Sequence, residues 1–490
     1  MEPSGPRSRM VLLGWAVMVG SAAGVLALGL LATTITERRA ERRLASVQFV
    51  QPIGEWEADN SKWGVSFPRQ FSSWELTRHM SDNTRYGGSN VRDYLSEQPL
   101  HVVLWAGFTF AKDYSQARGH FNSVADVTAT KRVSATTPAT CWTCKSPDAP
   151  RLMAKMGVDG FYAARFADLK GEVRNPIGCA DCHDNKTMAL RISRPALIEA
   201  MQRMGRDVQK ATHQEMRSLV CAQCHVSYYF ADPKTNRLVI PWDKGLGADD
   251  FDRYYKEVGF SDWTHAISGA RMIKLRHADY EMWSQGVHAF RGVSCADCHL
   301  PYRSEGGVKY TDHQVRSPLY NVAASCQVCH RWSEGDIRQR VYAIQDKTLE
   351  LRRIAEAQLA AAHLEIGDAM RLRATDLELA EVRDLVRRGQ MYWDYVAATN
   401  GMGFHAPQES ARVLAKAIDL ARECRLQVNR IRARKGAVEP LAMPDLSTRA
   451  KADAFIKPFV EAQRKAGVAS NSAARSGAPL ASPSPERASR

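Results

Sequence analysis

Ten of the eleven cysteines in this chain fall into five C-x-x-C pairs, and no other feature restricts its folding so strongly. The pairs are Cys141/Cys144, Cys179/Cys182, Cys221/Cys224, Cys295/Cys298 and Cys326/Cys329. Four carry histidine directly after the second cysteine: Cys179-Ala-Asp-Cys182-His183, Cys221-Ala-Gln-Cys224-His225, Cys295-Ala-Asp-Cys298-His299 and Cys326-Gln-Val-Cys329-His330. That pattern is the attachment site of haem c. The two thiols add to the two vinyl groups, and the adjacent imidazole takes the iron. Zinc sites also use such pairs, but zinc does not require histidine after every second cysteine. A disulfide across C-x-x-C closes a tight loop and is redox-active rather than structural. Only Cys424 is left over. Its neighbours read as helix interior, so a buried, inert thiol is expected.

The first pair departs from the others, as Cys141-Trp-Thr-Cys144-Lys145. If haem binds there, Lys145 must reach the iron as a neutral amine, a form that coordination itself favours. An iron held by two imidazoles is saturated and suits electron transfer. An iron with one unusual ligand and an open sixth position suits catalysis. A degenerate motif without haem is the alternative at this position.

The formal net charge of +14 could point to nucleic acid or an anionic membrane surface. Five haems, however, bring about ten propionates that composition does not count. Arg and Lys therefore have internal anions to meet, and no nucleic-acid partner is expected. Val11 to Thr36 carries no charge and is long enough to span a bilayer. Arg7 and Arg9 precede it, as in an export signal, and Arg38, Arg39, Arg42 and Arg43 follow. Residues 1–36 read as a signal or membrane anchor. The anchor is favoured, because the run is long and lacks a strong small-x-small cleavage site. The basic cluster after the run weakly opposes the positive-inside rule. Covalent haem belongs on the exported side, which places the chain in the periplasm or on the exported face of the membrane.

Residues 37–50 read as a charged juxtamembrane stalk and 51–434 as one catalytic domain. Up to about residue 330 that domain is loop-rich, with short helical pieces between the motifs. From Ile337 to Tyr395, Leu, Ile and Ala recur at three- and four-residue spacing among Arg and Glu, which predicts long amphipathic helices. Asn400-Gly401-Met402-Gly403 breaks the pattern. A further helix is expected from Gln408 to about Arg434, ended by Gly436, Pro440 and Pro444. Residues 333–434 thus carry the long helices. Residues 435–490 form a C-terminal extension, disordered from about Gly467. The expected class is mainly α, with a haem-packed core and long C-terminal helices.

The Cys-Trp-x-Cys-Lys motif resembles the active-site haem motif of pentahaem cytochrome c nitrite reductase, the ammonia-forming enzyme. The order of one lysine site and then four histidine sites is similar too. The likeness extends over about residues 55 to 425. It includes the blocks Cys221-Ala-Gln-Cys-His-Val-Ser-Tyr-Tyr-Phe230, Tyr280-Glu-Met-Trp-Ser-Gln-Gly-Val-His288 and Ser294-Cys-Ala-Asp-Cys-His-Leu-Pro-Tyr302. The resemblance implies five covalent haems and four distal histidines: His120 for the His225 haem, His288 for His330, His313 for His183 and His405 for His299. It implies Arg132, Tyr228 and His277 as the catalytic set beside Lys145. A guanidinium over the open iron position attracts nitrite and polarises an N–O bond, while His277 supplies protons. His79, His101, His213, His265 and His363 receive structural roles. A quinol-oxidising or small soluble multihaem cytochrome would donate electrons, and the long helices would serve a homodimer. The rival readings are an electron relay without substrate and a hydroxylamine- or sulfite-directed reductase on the same fold.

One departure stands out. Most members of that family hold calcium near the active haem, through a Glu after the third motif and a Gln before the catalytic His. Here those positions are Ser227 and Arg276. Calcium needs six to eight oxygen ligands, and a guanidinium would repel it. The expectation is a calcium-independent variant in which Arg276 supplies the charge in place.

Overall fold

The computed structural model describes residues 6–44 and 49–467. The middle of the expected stalk, 45–48, and the expected disordered tail beyond 467 lie outside the described residues. The chain divides into two compact units, 1–51 with 304–308, and 52–303 with 309–490.

In the first unit a single helix, α1, runs Pro6–Leu44. Its stretch Met10–Arg38 has a mean hydropathy of 2.1, and by length and composition it can cross a membrane. The helix continues past the apolar run into the segment read as stalk. Residues 37–44 are Glu, Arg, Ala and Leu throughout, all strong helix formers, so nothing stops the helix there.

The second unit is mainly helical. Short helices and turns carry the cysteine motifs, and two small antiparallel pairs pin the loops between them. These are β1 (Tyr229–Phe230) with β2 (Leu238–Val239), and β3 (Trp263–Thr264) with β4 (Arg271–Met272). The long helices follow as α2 (Glu334–Arg371), α3 (Asp376–Ala397) and α4 (Pro407–Arg434). Their limits are written in the caps. Ser333 accepts the backbone N–H of Asp336 at the start of α2, and Thr375 with Glu378 forms a capping box on α3. Between them Arg373 takes a positive φ of 63° to turn the chain. Pro407 opens α4, where its fixed φ costs nothing. Each of α2 and α3 packs closely on α4. Gly389 sits where they meet: a Cβ there would stand 3.2 Å from Leu359 and 3.4 Å from the Ala417 carbonyl.

A last helix, α5 (Arg449–Lys465), was not anticipated in the extension. Ala452 and Ile456 are buried, and Phe455, Phe459 and Val460 pack on the same core. Gln463 Nε2 donates to the Thr264 carbonyl at 2.8 Å. The apolar positions have helical spacing, but Pro458 inside the helix and prolines 440 and 444 before it mask the signal. Cys424 is buried on α4, as expected, and its thiol donates to the Val382 carbonyl.

Candidate active site

The lysine motif is seated by its tryptophan. Trp142 is wholly buried and stacks on Phe166 at 3.9 Å, and its indole N–H donates to the Phe166 carbonyl at 3.1 Å. Arg194 then ties this motif to the second one. Its guanidinium donates to the carbonyls of Thr143 and Ser146 and pairs with Asp181 inside Cys179-Ala-Asp-Cys182. Burial opposes that charge, but Asp181 outweighs it, so Arg194 stays firmly protonated. The remaining motifs follow in contact. Cys144 lies beside Cys224, Cys221 lies beside Cys295, and Ser325 Oγ donates to the Cys298 carbonyl at 2.9 Å beside Cys326.

Three of the implied histidine pairs face each other. Ring centroids are 6.3 Å apart for His183 and His313, 6.4 Å for His299 and His405, and 6.2 Å for His288 and His330. Two rings on opposite sides of one metal, each with a bond of about 2.0 Å and a ring radius of about 1.2 Å, would stand roughly 6.4 Å apart. The residues present thus fit the group. His183 and His299 donate Nδ1–H to the carbonyls of Met188 and Arg316, and His313 to that of Thr311, so each leaves Nε2 free. His120 lies close enough to feel His225 and Lys145. Burial pushes His120, His183 and His299 down to about 4, which keeps the imidazoles neutral, the form that binds metal.

Arg132, Tyr228 and His277 gather around the lysine motif. Arg132 and Lys145 both act on Cys141, Tyr228 lies in the field of Cys144 and Cys141, and His277 feels Lys145 directly. Arg132 donates Nε–H to Thr130 Oγ1 at 3.2 Å, and its guanidinium lies 4.5 Å from the centre of the Phe110 ring. Thr130 in turn donates to Asp113. Among the described residues Arg132 forms no ion pair, and Thr130 links it to Asp113. Burial raises the Tyr228 phenol above its ordinary range, and it remains a hydrogen-bond donor. His277 has a positive φ of 44° and is pushed down to about 3 by burial and by Lys145. A non-glycine residue held there marks a tightly determined turn.

Arg276 points into a cage of oxygens. Its Nη1 donates to the carbonyls of Lys274 at 2.8 Å and Tyr228 at 3.1 Å, and its Nη2 meets Asp262 Oδ1 at 2.6 Å. Burial opposes the charge and Asp262 outweighs it, so the guanidinium is strongly held as a cation. Its backbone N–H donates to Ser227 Oγ at 3.3 Å.

Several supporting residues escaped the sequence reading. Lys274 Nζ pairs with Asp394 on α3 at 2.7 Å, both wholly buried, and the Leu275 N–H also donates to Asp394. That pair fixes the loop after β4 from which Arg276 and His277 project. Glu281 is buried, accepts from the Ser227 N–H at 2.9 Å and the Trp242 indole at 3.0 Å, and is pushed up to about 8 by burial. The signal was a charge inside an apolar stretch, as in Met391-Tyr-Trp-Asp-Tyr395. Three of the spare histidines make structural contacts. His265 stacks on His363 at 3.7 Å, His363 bonds Ser268 and Gln390, and His101 bonds Glu356.

The cytochrome c552 family profile matches residues 59–476. A cytochrome c-552 of Parabacteroides distasonis is 47% identical over 461 residues, covering 92% of this chain and 93% of its own. One from Maridesulfovibrio salexigens is 39% identical over 89% of this chain and 88% of its own. Among solved structures, the catalytic subunit of cytochrome c nitrite reductase from Desulfovibrio desulfuricans, described for its two calcium sites, superposes with a TM-score of 0.75 at 32% identity. It covers 78% of this chain and 88% of its own.

Proposed function

The chain belongs to the cytochrome c552 family, and on that premise we propose that it reduces nitrite to ammonium at a haem held by Cys141, Cys144 and Lys145. It is an exported enzyme homologous to the catalytic subunit of cytochrome c nitrite reductase. The observation that carries the reading is an unpaired arginine, Arg132, gathered with Tyr228 and His277 on the one motif that has lysine in place of histidine. Cys141, Cys144 and Lys145 would hold the haem, which would supply the iron and the electrons for the reduction.

The chain's own side chains do the rest. Arg132 holds the anion and neutralises charge on a departing oxygen. Tyr228 donates a hydrogen bond to that oxygen. His277, neutral at rest, passes protons, and an anion beside it raises its affinity for them. Nitrite, six electrons and eight protons give ammonium and two waters. Four histidine sites in contact, His183/His313, His225/His120, His299/His405 and His330/His288, hold the haems that feed the electrons.

Arg276 takes the place of calcium in this reading. Its guanidinium already occupies the carbonyls of Tyr228 and Lys274, and Ser227 offers no carboxylate. The helix α1 anchors the enzyme to the membrane, where a quinol-oxidising or small multihaem cytochrome supplies electrons. The exposed Ile354, Met370 and Leu426 on the long helices serve a homodimer. The test is ammonium yield from nitrite with a reduced dye. Near-stoichiometric ammonium, formed far more slowly by Arg132→Ala, supports the reading. A fully loaded protein that oxidises the dye only in the presence of another acceptor is a relay and refutes it.

A further inference from the structure

Among the implied axial histidines, His225 has an unusual partner. His183, His299 and His313 each donate Nδ1–H to a neutral backbone carbonyl, and the buried Nδ1 of His405 meets nothing. His225 Nδ1 instead lies 3.2 Å from Asp279 Oδ2. Among the described residues it is the one axial candidate that faces a carboxylate.

The carboxylate is built in. Asp279 is buried, with 11% of its side chain exposed. Its Oδ1 accepts the Asn400 backbone N–H at 2.7 Å, and its Oδ2 accepts the Asn400 side-chain amide at 2.8 Å. Asn400 belongs to the glycine break that also carries His405. Asp279 sits two residues beyond His277, and its N–H reaches back to the His277 carbonyl at 2.6 Å. The Tyr280 N–H donates to the His225 carbonyl at 3.0 Å. One turn therefore fixes the catalytic histidine, the carboxylate and the axial ligand together.

We propose that Asp279 is a positioning residue that lowers the reduction potential of the haem held by His225, the neighbour of the lysine-held haem. A carboxylate on Nδ1–H makes the imidazole more basic and fixes its tautomer and orientation. A more basic ligand, and a negative charge in a poorly screened site, favour ferric over ferrous iron. Cys144 and Cys224 lie side by side, which would place this haem next to the catalytic one. One electron passes between the two irons and no atom moves. A lower potential on the donor would make that transfer more favourable than it would be without the carboxylate. This inference rests on the reading of His225 as an iron ligand.

The test uses the full chain with its haems, as wild type, Asp279→Asn and Asp279→Glu, titrated potentiometrically with EPR detection. The expected result is that one low-spin haem moves to higher potential in Asp279→Asn. The other haems hold still, and Asp279→Glu returns toward wild type. If Asp279→Asn takes up too little haem, Asn400→Ala carries the test. It frees Oδ2 from its competing amide, and the same potential should fall. Unmoved potentials in the fully loaded variant, or an equal shift of all haems, overturn the proposal. Mass analysis of the Cys221–His225 peptide separates the two readings. Absence of haem there sinks the site assignment, whereas haem with an unmoved potential sinks only the role of Asp279.

Discussion

Replacing Arg276 by glutamine removes three hydrogen bonds at once, to Tyr228, Lys274 and Asp262. The costly loss is the last. Asp262 is buried, with 3% of its side chain exposed, and Oδ1 is left without its cation while, among the described residues, Oδ2 keeps the Lys274 N–H. Breaking a buried ion pair from one side costs about 3–5 kcal/mol. For a domain of this size that lowers the melting temperature by roughly 3–6 °C. The same change returns an amide oxygen to a cage of two carbonyls and a carboxylate, which are calcium ligands. Adding Ser227→Glu supplies a second carboxylate. Calcium at about a hundredfold excess over its dissociation constant then restores about 2.7 kcal/mol. Calorimetry in chelator and in calcium reads both effects. The wild type should melt alike in the two buffers and the double variant should not. A wild type that holds stoichiometric calcium after dialysis, or an Arg276→Gln protein that melts unchanged in chelator, refutes the reasoning.

Other predictions follow from single groups. Arg132→Ala removes a charge-assisted contact worth about 1.5–3 kcal/mol, so kcat/KM for nitrite should fall roughly 10- to 150-fold, with the resting spectrum unchanged. Burial raises Glu281 in the fold to about 8, well above the ordinary carboxylate range. Its favourable share is complete below the unfolded value and is lost as pH rises through the folded one. Glu281→Gln should therefore gain stability over wild type at pH 8 but not at pH 4.5, as denaturant melts at the two values will show. Burial raises the Cys424 thiol far above its usual range, so iodoacetamide should label it only after unfolding, by peptide mass.

Much of this fold was readable because periodicity and punctuation agreed. The break at Asn400-Gly401 and the stop at Gly436 bracket α4 within a residue of the expected ends. The turn at Arg373 was not visible, since no glycine or proline marks it. Helix α5 was missed for the opposite reason, with Pro458 and its upstream prolines hiding a sound apolar stripe. At the site, the cysteine motifs and the arginine at 276 were local signals. Lys274 with Asp394, and Asp279 with Asn400, were not, because each pair joins residues more than a hundred positions apart. Their meaning lies in a contact that only the packed helices create.

The most direct measurement is the EPR and visible spectrum of the oxidised, fully loaded protein, in wild type and Lys145→His. The wild type is predicted to show one high-spin haem beside four low-spin ones, the high-spin signal moving when nitrite is added. Five low-spin haems that ignore nitrite would contradict the account at its root.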